Sequence, residues 1–273
     1  GDELVIYYGD FGVTNIPYVV ITPEKIKKGD DIQIHVTSSY TQYDANFDPI
    51  GIVEFDIADA DIALAGVTYK TDAEGKLTIS TAELSTGEYL LSISKDIEGS
   101  CPEVVRKQLP IAIYNTRTVS VSIEGISATV SKDKSFEVWS TGNINALDAM
   151  VQLLDREEID YTLAGTYITS IDNLSAGHFG GWYGWMYIVN NTSPYVGMSD
   201  YSLNDGDNLV VYYGDFETYI PDIELSYNQA THELQVKVTE THMEYDEFWA
   251  PIGEVTNNIS GASIELYDLT LIT

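Results

Sequence analysis

The chain has 273 residues, and its 43 acidic side chains outnumber the 13 Lys and Arg side chains to give a formal net charge of −30. This negative field repels nucleic acids and anionic membranes, and the dispersed basic residues cannot form a basic face, so nucleic-acid binding is excluded. Hydrophobic residues make up 44% of the chain, which predicts a folded core rather than disorder. No apolar run is long enough for a membrane span, so we expect no membrane insertion.

Two stretches of the sequence repeat each other over a long distance. Residues 1–11 recur as residues 206–216, and the match continues through shared Ile-Pro, Tyr-Asp and Pro-Ile-Gly groups up to residues 51 and 253. Self-similarity of this length indicates an array of repeated units. We therefore expect the chain to be cut from a longer array, with residues 1–11 as the closing strand of a preceding unit; the alternative is a natural protein with degenerate ends. We also expect residues 223–273 to pair with another chain or with residues 1–11.

Residues 12–114 predict about seven short strands separated by turns. Period-two alternation or β-branched runs mark strands at residues 18–21, 31–36, 51–55, 62–64, 77–79, 88–94 and 109–114. Asp72 and Gly75 predict a tight turn between two of them. This spacing predicts a β-sandwich.

This segment also resembles the immunoglobulin-like repeats of bacterial surface proteins. The resemblance lies in residues 71–79 (Thr-Asp-Ala-Glu-Gly-Lys-Leu-Thr-Ile) and 84–91 (Leu-Ser-Thr-Gly-Glu-Tyr-Leu-Leu). Through the internal repeat, it implies that residues 216–273 are part of a second immunoglobulin-like unit.

Residues 115–215 predict an α+β domain, in which one helix packs on a sheet. Strands are expected at residues 118–123, 167–171, 185–189 and 208–213. A helix is expected at residues 145–155, where Asn143 or Asn145 can cap the first turn. Its apolar stripe consists of Leu147, Met150, Val151 and Leu154.

The second half of this domain resembles the transcobalamin C-terminal-like family, a family of mostly unassigned function. The resemblance lies in residues 184–191 (Gly-Trp-Met-Tyr-Ile-Val-Asn-Asn), in Gly197 with Tyr201, and in residues 203–207 (Leu-Asn-Asp-Gly-Asp). It implies a small β-grasp-like fold. In cobalamin carriers the related domain closes over the corrinoid together with a large helical domain. This sequence has no such helical domain, and Asn191 stands where a small turn residue is usual, so the resemblance gives only weak support for cobalamin as a cofactor.

An aromatic cluster interleaved with glycines, within residues 177–195, is the leading candidate for a ligand-binding site. Glycines let a loop bend and leave aromatic faces uncovered for a sugar or a planar ligand. Alternation places Trp185 and Tyr187 on one face of a strand, for which core packing is the favoured interpretation. The candidate ligand-binding residues lie near the loop ends: His178, Trp182, Tyr183 and Tyr195.

Other chemistry-bearing residues give weaker signals. Asp56, Asp59 and Asp61 form an Asp-x-x-Asp-x-Asp pattern that can supply oxygens to calcium, although a solvated surface is the other interpretation in so acidic a chain. No histidine pair has metal-ligand spacing, and no nucleophile elbow, phosphate loop or dinucleotide fingerprint occurs. Cys101 is the only cysteine, so no disulfide forms within the chain. We expect no catalytic residue and no cofactor, with calcium as the alternative.

These observations predict a non-catalytic, modular fragment of a secreted or wall-attached bacterial protein with a structural or adhesive role. Its domains would be residues 12–114, 115–215 and 216–273. Its partner would be an unknown surface ligand or protein. One alternative is a small-molecule binder for a corrinoid or a glycan that uses residues 178–195. A second alternative is a hydrolase with a carboxylate pair.

Overall fold

Strands dominate the protein, and the described part of the chain contains one helix, which confirms the mainly β prediction. The computed structural model describes residues 6–10, 13–215, 218–248, 250–266 and 269–272. The chain divides into two units, residues 1–116 with 139–143 and residues 117–138 with 144–273.

The first unit contains two sheets. Its strands are, in chain order, β1 (Tyr18–Thr22), β2 (Ile26–Lys27), β3 (Asp31–Tyr43), β4 (Pro49–Asp56), β5 (Asp61–Leu64), β6 (Val67–Lys70), β7 (Lys76–Ser80), β8 (Gly87–Lys95) and β9 (Val104–Glu124), of which β9 continues into the second unit. In one sheet, β3 pairs antiparallel with β1, β4 and β7. In the other, the order is β6, β5, β8 and β9, and β2 joins β9 in parallel.

Alternating branched residues explain why this unit is a sandwich. β3 buries Ile32, Ile34 and Val36, and β8 buries Leu91 and Ile93, all in one hydrophobic cluster. Because side chains of a strand alternate between faces, each sheet presents one apolar face to the other. The expected β-sandwich is therefore confirmed at the level of fold class.

The predicted turn between β6 and β7 is present. The Asp72 carboxylate accepts hydrogen bonds from the backbone N–H groups of Glu74 and Lys76, at 3.0 and 2.8 Å. Gly75 adopts a φ of +66°, and a side chain there would press against the Val36 carbonyl. Gly75 is therefore needed both for its backbone angle and for the close approach.

The second unit combines one helix with several sheets. Its elements are β10 (Thr129–Ser140), α1 (Ala146–Arg156), β11 (Tyr161–Ala164), β12 (Tyr167–Ile171), β13 (Leu174–Ser175), β14 (Gly184–Val189), β15 (Asn208–Gly214), β16 (Pro221–Asn228), β17 (Glu233–Tyr245), β18 (Pro251–Asn258), β19 (Ser263–Leu266) and β20 (Leu269–Ile272). β15 pairs antiparallel with β14 and in parallel with the end of β9, which also pairs with β10. Three smaller antiparallel sheets consist of β11–β13, β16–β18 and β19–β20.

Helix α1 lies one residue later than predicted and buries a different stripe. Asn145 is its N-cap and forms a capping box with Asp148. Met150 and Leu154 are buried as expected, but Leu147 and Val151 are only partly buried. The other buried positions are Ala146, Ala149 and Leu153. Alanine side chains are small and allow a helix to pack closely against its neighbours. The buried face of α1 therefore includes the alanines and is rotated relative to the face predicted from the large apolar residues.

The strand predictions need correction in two respects. Residues 109–114 and 118–123 are not separate strands, because β9 runs through both without a break. Among the described strands of residues 12–215, five were not predicted, namely β2, β6, β11, β13 and, the longest of them, β10. β10 carries the charged residues Lys132, Lys134 and Glu137. Phe136 and Val138 are buried, but the charged residues around them obscure the alternation of apolar and polar residues in the sequence.

The internal repeat is reproduced in the strand pairing. Val19 pairs with Val36 between β1 and β3, and the equivalent Ile223 pairs with Val238 between β16 and β17. Residues 6–10 lie outside any strand, and residues 1–5 and 11 lie outside the described residues. The closing-strand role of residues 1–11 and their pairing with residues 223–273 thus stay predictions.

Candidate functional site: an aromatic loop in the second unit

A short loop, residues 176–183, connects β13 to β14 and carries most of the predicted site. Gly177, Gly180 and Gly181 adopt φ values of +77°, +82° and +57°, which side chains other than glycine rarely tolerate. The loop closes on itself, because the Gly177 N–H donates to the Tyr183 carbonyl at 2.6 Å. We call these residues the aromatic loop.

Tyr213 on β15 anchors the aromatic loop to the core. Its buried hydroxyl donates to the Ser175 carbonyl at 3.0 Å and accepts from the His178 N–H at 2.9 Å. Beside it, the Trp185 indole N–H donates to the Leu174 carbonyl at 3.0 Å. These hydrogen bonds tie the β13 end of the aromatic loop to two buried aromatic side chains.

A series of edge-to-face rings leads from the core to the surface. Trp185 packs against Tyr213 with ring centroids 5.4 Å apart, and Phe179 lies 6.3 Å from Tyr213. Phe179 also contacts Tyr183 at 5.6 Å and His178 at 4.9 Å. Edge-to-face packing of this kind favours fixed ring orientations, so the outer rings are held in place by the inner ones.

The outer rings of this series are open to solvent: Phe179 is 57% exposed, Tyr183 is 37% exposed, and His178 is also exposed. Trp182, on the same loop, is 83% exposed. Trp185 and Tyr187, by contrast, are buried, which confirms the prediction that they pack in the core. Burial raises the pKa of Tyr187 to about 12, so its hydroxyl stays protonated and donates to the Val196 carbonyl.

Tyr195 is not part of the aromatic loop. It is 63% exposed and lies on the segment that leaves the opposite end of β14. The structure therefore brings His178, Trp182 and Tyr183 together on one loop and places Tyr195 on another.

The three predicted calcium ligands do not form a joint site. Asp56 contacts the His35 ring at 2.8 Å, Asp61 contacts the Lys70 ammonium at 2.8 Å, and Asp59 occupies a turn with a φ of +57°. Across the described ranges, no group of three or more His, Cys, Asp or Glu residues is arranged to hold a metal ion. Calcium binding stays a prediction that this geometry does not favour.

Phe179 and Tyr213 are not among the site residues predicted from sequence. A signal for Tyr213 was present, because Tyr-Tyr-Gly occurs at both residues 7–9 and 212–214. The register that places Tyr213 opposite Trp185 cannot be read from spacing, since it depends on how β14 and β15 pair.

Residues 143–215 match the model of a domain of unknown function, DUF4430. This segment contains α1, the aromatic loop and both strands that anchor it. No curated protein matches the chain. Among the described residues, no helix has the length and apolar character needed to cross a membrane.

Proposed function

We propose that this protein is a non-catalytic, modular binding protein that is secreted by bacteria or attached to their surface, and that the aromatic loop contacts its ligand. The observation that carries the proposal is Trp182. Its side chain is largely exposed, and the loop that carries it is tied at its β13 end to Tyr213 and Trp185. A large exposed aromatic surface on a loop with one anchored end loses less backbone entropy on binding than the same surface on an unanchored loop, which favours recognition.

Two further features support a modular, extracellular role. The two sheets of the first unit, with β3 central in one and β8 between β5 and β9 in the other, are compatible with an immunoglobulin-like assignment. The net charge of −30 keeps such modules soluble and repels nucleic acids and anionic lipids. The partner is therefore a surface protein or glycan rather than a polyanion.

A glycan is the second, more specific candidate for the ligand. The exposed rings of Phe179 and Trp182 offer apolar faces, and glycines on either side leave those faces uncovered. His178 and the exposed backbone of the loop add polar groups beside them. Apolar faces with a few convergent polar groups are the usual composition of a small-ligand site.

The experiment compares binding by the wild-type chain and two single variants on an oligosaccharide array, with cobalamin titrated in parallel. Trp182→Ala removes the exposed indole, and Tyr195→Ala removes a comparably exposed ring at the other end of β14. We expect at least about a tenfold loss of binding for Trp182→Ala and less than about a twofold change for Tyr195→Ala. Equal losses for both variants would contradict the assignment of the aromatic loop as the ligand contact. No binding by the wild-type chain to any probe would contradict a glycan or corrinoid ligand.

A further inference from the structure

Strand β1 of the first unit lies at the edge of its sheet and has an uncharged sequence. β1 pairs with β3 on one side, and among the described residues no strand pairs with its other side. Its sequence, Tyr-Val-Val-Ile-Thr, contains no charged residue and no proline. Tyr18 is 66% exposed and Val20 is 44% exposed. An uncharged β-branched edge of this kind is a template for pairing with another strand.

A groove of about 660 Å³ in the same unit begins at the end of this strand. Ile21 and Ile26 contribute to it from one side, and β8 and β9 contribute the rest of an apolar lining. Glu24 and Glu88 also line the groove, and both are exposed. The Lys25 ammonium lies over the Trp139 ring instead. The groove therefore offers apolar surface and negative charge together.

The other side of the groove is unsuited to strand pairing. β9 contributes Pro110 to the lining, and proline has no backbone N–H to donate to a new neighbour. β2 pairs with β9 only at Ile113 and Tyr114. An added strand would therefore form its backbone hydrogen bonds with β1 and use the β9 side for side-chain contacts.

The second copy of the repeat provides a comparison within the same chain. β16 is equivalent to β1 and has the same register, but it carries Asp222 and Glu224 where β1 has Tyr18 and Val20. Charged side chains on an edge strand are a common protection against pairing with other strands. One copy carries this protection and the other lacks it, so the open edge of β1 is not a general property of the repeat.

We propose that the β1 edge and its groove bind an extended segment of a partner polypeptide, which adds a strand to the sheet. Backbone hydrogen bonds to β1 would supply affinity, and alternate side chains of the segment would enter the groove. The chemistry of the groove selects a segment with branched apolar residues at alternate positions and a Lys or Arg that reaches Glu24 and Glu88. This site lies in the first unit and does not depend on the aromatic loop.

The experiment uses a fluorescein-labelled synthetic peptide, Lys-Thr-Val-Thr-Val-Thr-Ile-Thr-Lys, and measures its anisotropy with the full chain. Val20→Glu introduces the residue that β16 has at the same position, and that strand pairs normally, so the variant is expected to fold. Val20→Thr is the matched control, because it keeps a β-branched, uncharged side chain. We expect at least about a tenfold weaker peptide affinity for Val20→Glu, and less than about a threefold change for Val20→Thr.

A second peptide separates strand pairing from simple charge attraction to this acidic chain. It has proline in place of the central valine, which preserves the charge but removes a backbone donor. Equal binding of both peptides, or equal binding by wild-type and Val20→Glu chains, would overturn the proposal. A concentration-dependent dimer of the wild-type chain that is lost in Val20→Glu, with no peptide binding, would also overturn it, because the edge would then serve a second copy.

Discussion

At the level of single residues, a glycine and a threonine pack against each other at equivalent places in both copies of the repeat. An added Cβ at Gly214 would lie 2.6 Å from the Thr218 Cβ, and one at Gly9 would lie 2.8 Å from the Thr14 Cβ. In both turns the threonine hydroxyl accepts a hydrogen bond from the aspartate N–H that follows the glycine. The threonine therefore packs directly on the glycine, and no side chain fits there.

We predict that Gly214→Ala destabilises the protein by about 1–3 kcal/mol, because either the strand or the turn must move to admit the methyl group. Gly253→Ala is the matched control. No atom lies within 4 Å of its added Cβ, so its free energy of unfolding should change by less than about 0.5 kcal/mol. Urea denaturation of the two variants checks this, and similar losses in both would contradict the account of the turn.

Glu240 is a buried carboxylate with two hydrogen-bond partners. One oxygen contacts the His242 ring at 2.7 Å, and the other accepts from the Asn257 amide at 2.8 Å. Burial acts to raise the pKa of Glu240, but the hydrogen bonds with His242 and Asn257 outweigh it, and the pKa falls below the ordinary value of 4.5. The charged form is therefore favoured in the folded state.

A lowered folded-state pKa contributes stability that is present above the unfolded pKa and is lost as the pH falls through the folded value. We predict that the wild-type chain loses thermal stability more steeply than Glu240→Gln as the pH falls from about 5 to about 3. Melting curves across this range measure the difference. Parallel pH profiles for the two proteins would show that Glu240 makes no such contribution.

At the level of elements, helix α1 tests how far local sequence determines structure. Sequence predicts the helix to within one residue at each end, because its cap and its amphipathic spacing are local signals. The sequence does not decide whether Asn143 or Asn145 is the N-cap residue. In the structure the N-cap is Asn145, whose side chain accepts a hydrogen bond from the Asp148 N–H at 2.9 Å.

We predict that Asn145→Ala costs about 0.5–2 kcal/mol in the free energy of unfolding, because an N–H of the first turn loses its partner. Asn143→Ala is the matched control, since Asn143 is exposed and lies outside the capping box. Its effect should stay below about 0.5 kcal/mol. Chemical denaturation followed by circular dichroism compares the two, and a larger effect at Asn143 would contradict the capping assignment.

The strands show where local signals fail. β12 matches its prediction at both ends, because its alternation is undisturbed by charge. β10 is missed because lysines occupy its middle, and β9 is divided in two because its central residues are polar. In both cases pairing with a neighbouring strand supplies the stability, and pairing is a non-local property that periodicity does not report.

At the level of the whole molecule, sequence predicts the candidate site in part. The glycine spacing identifies the aromatic loop, and alternation correctly assigns Trp185 and Tyr187 to the core. It does not separate Tyr195 from the loop, because that requires the course of the chain at the two ends of β14. It also does not reveal Tyr213, which reaches the loop only through the register of β14 and β15.

The internal repeat gives this acidic chain two related sheets with different edges. β16 is longer than β1, but the two strands have the same register over residues 18–22 and 222–226, so their side chains can be compared position by position there. This makes each copy a natural control for the other.

The central claim is that the exposed Trp182 of the aromatic loop contacts the ligand. The most direct measurement is the fluorine NMR spectrum of the chain labelled with 5-fluorotryptophan, in which Trp182 is assigned by its loss from the Trp182→Phe variant. We predict that a glycan or surface protein that binds the chain shifts the Trp182 resonance and leaves the buried Trp185 resonance in place. Saturated binding with no change at Trp182 would contradict the account.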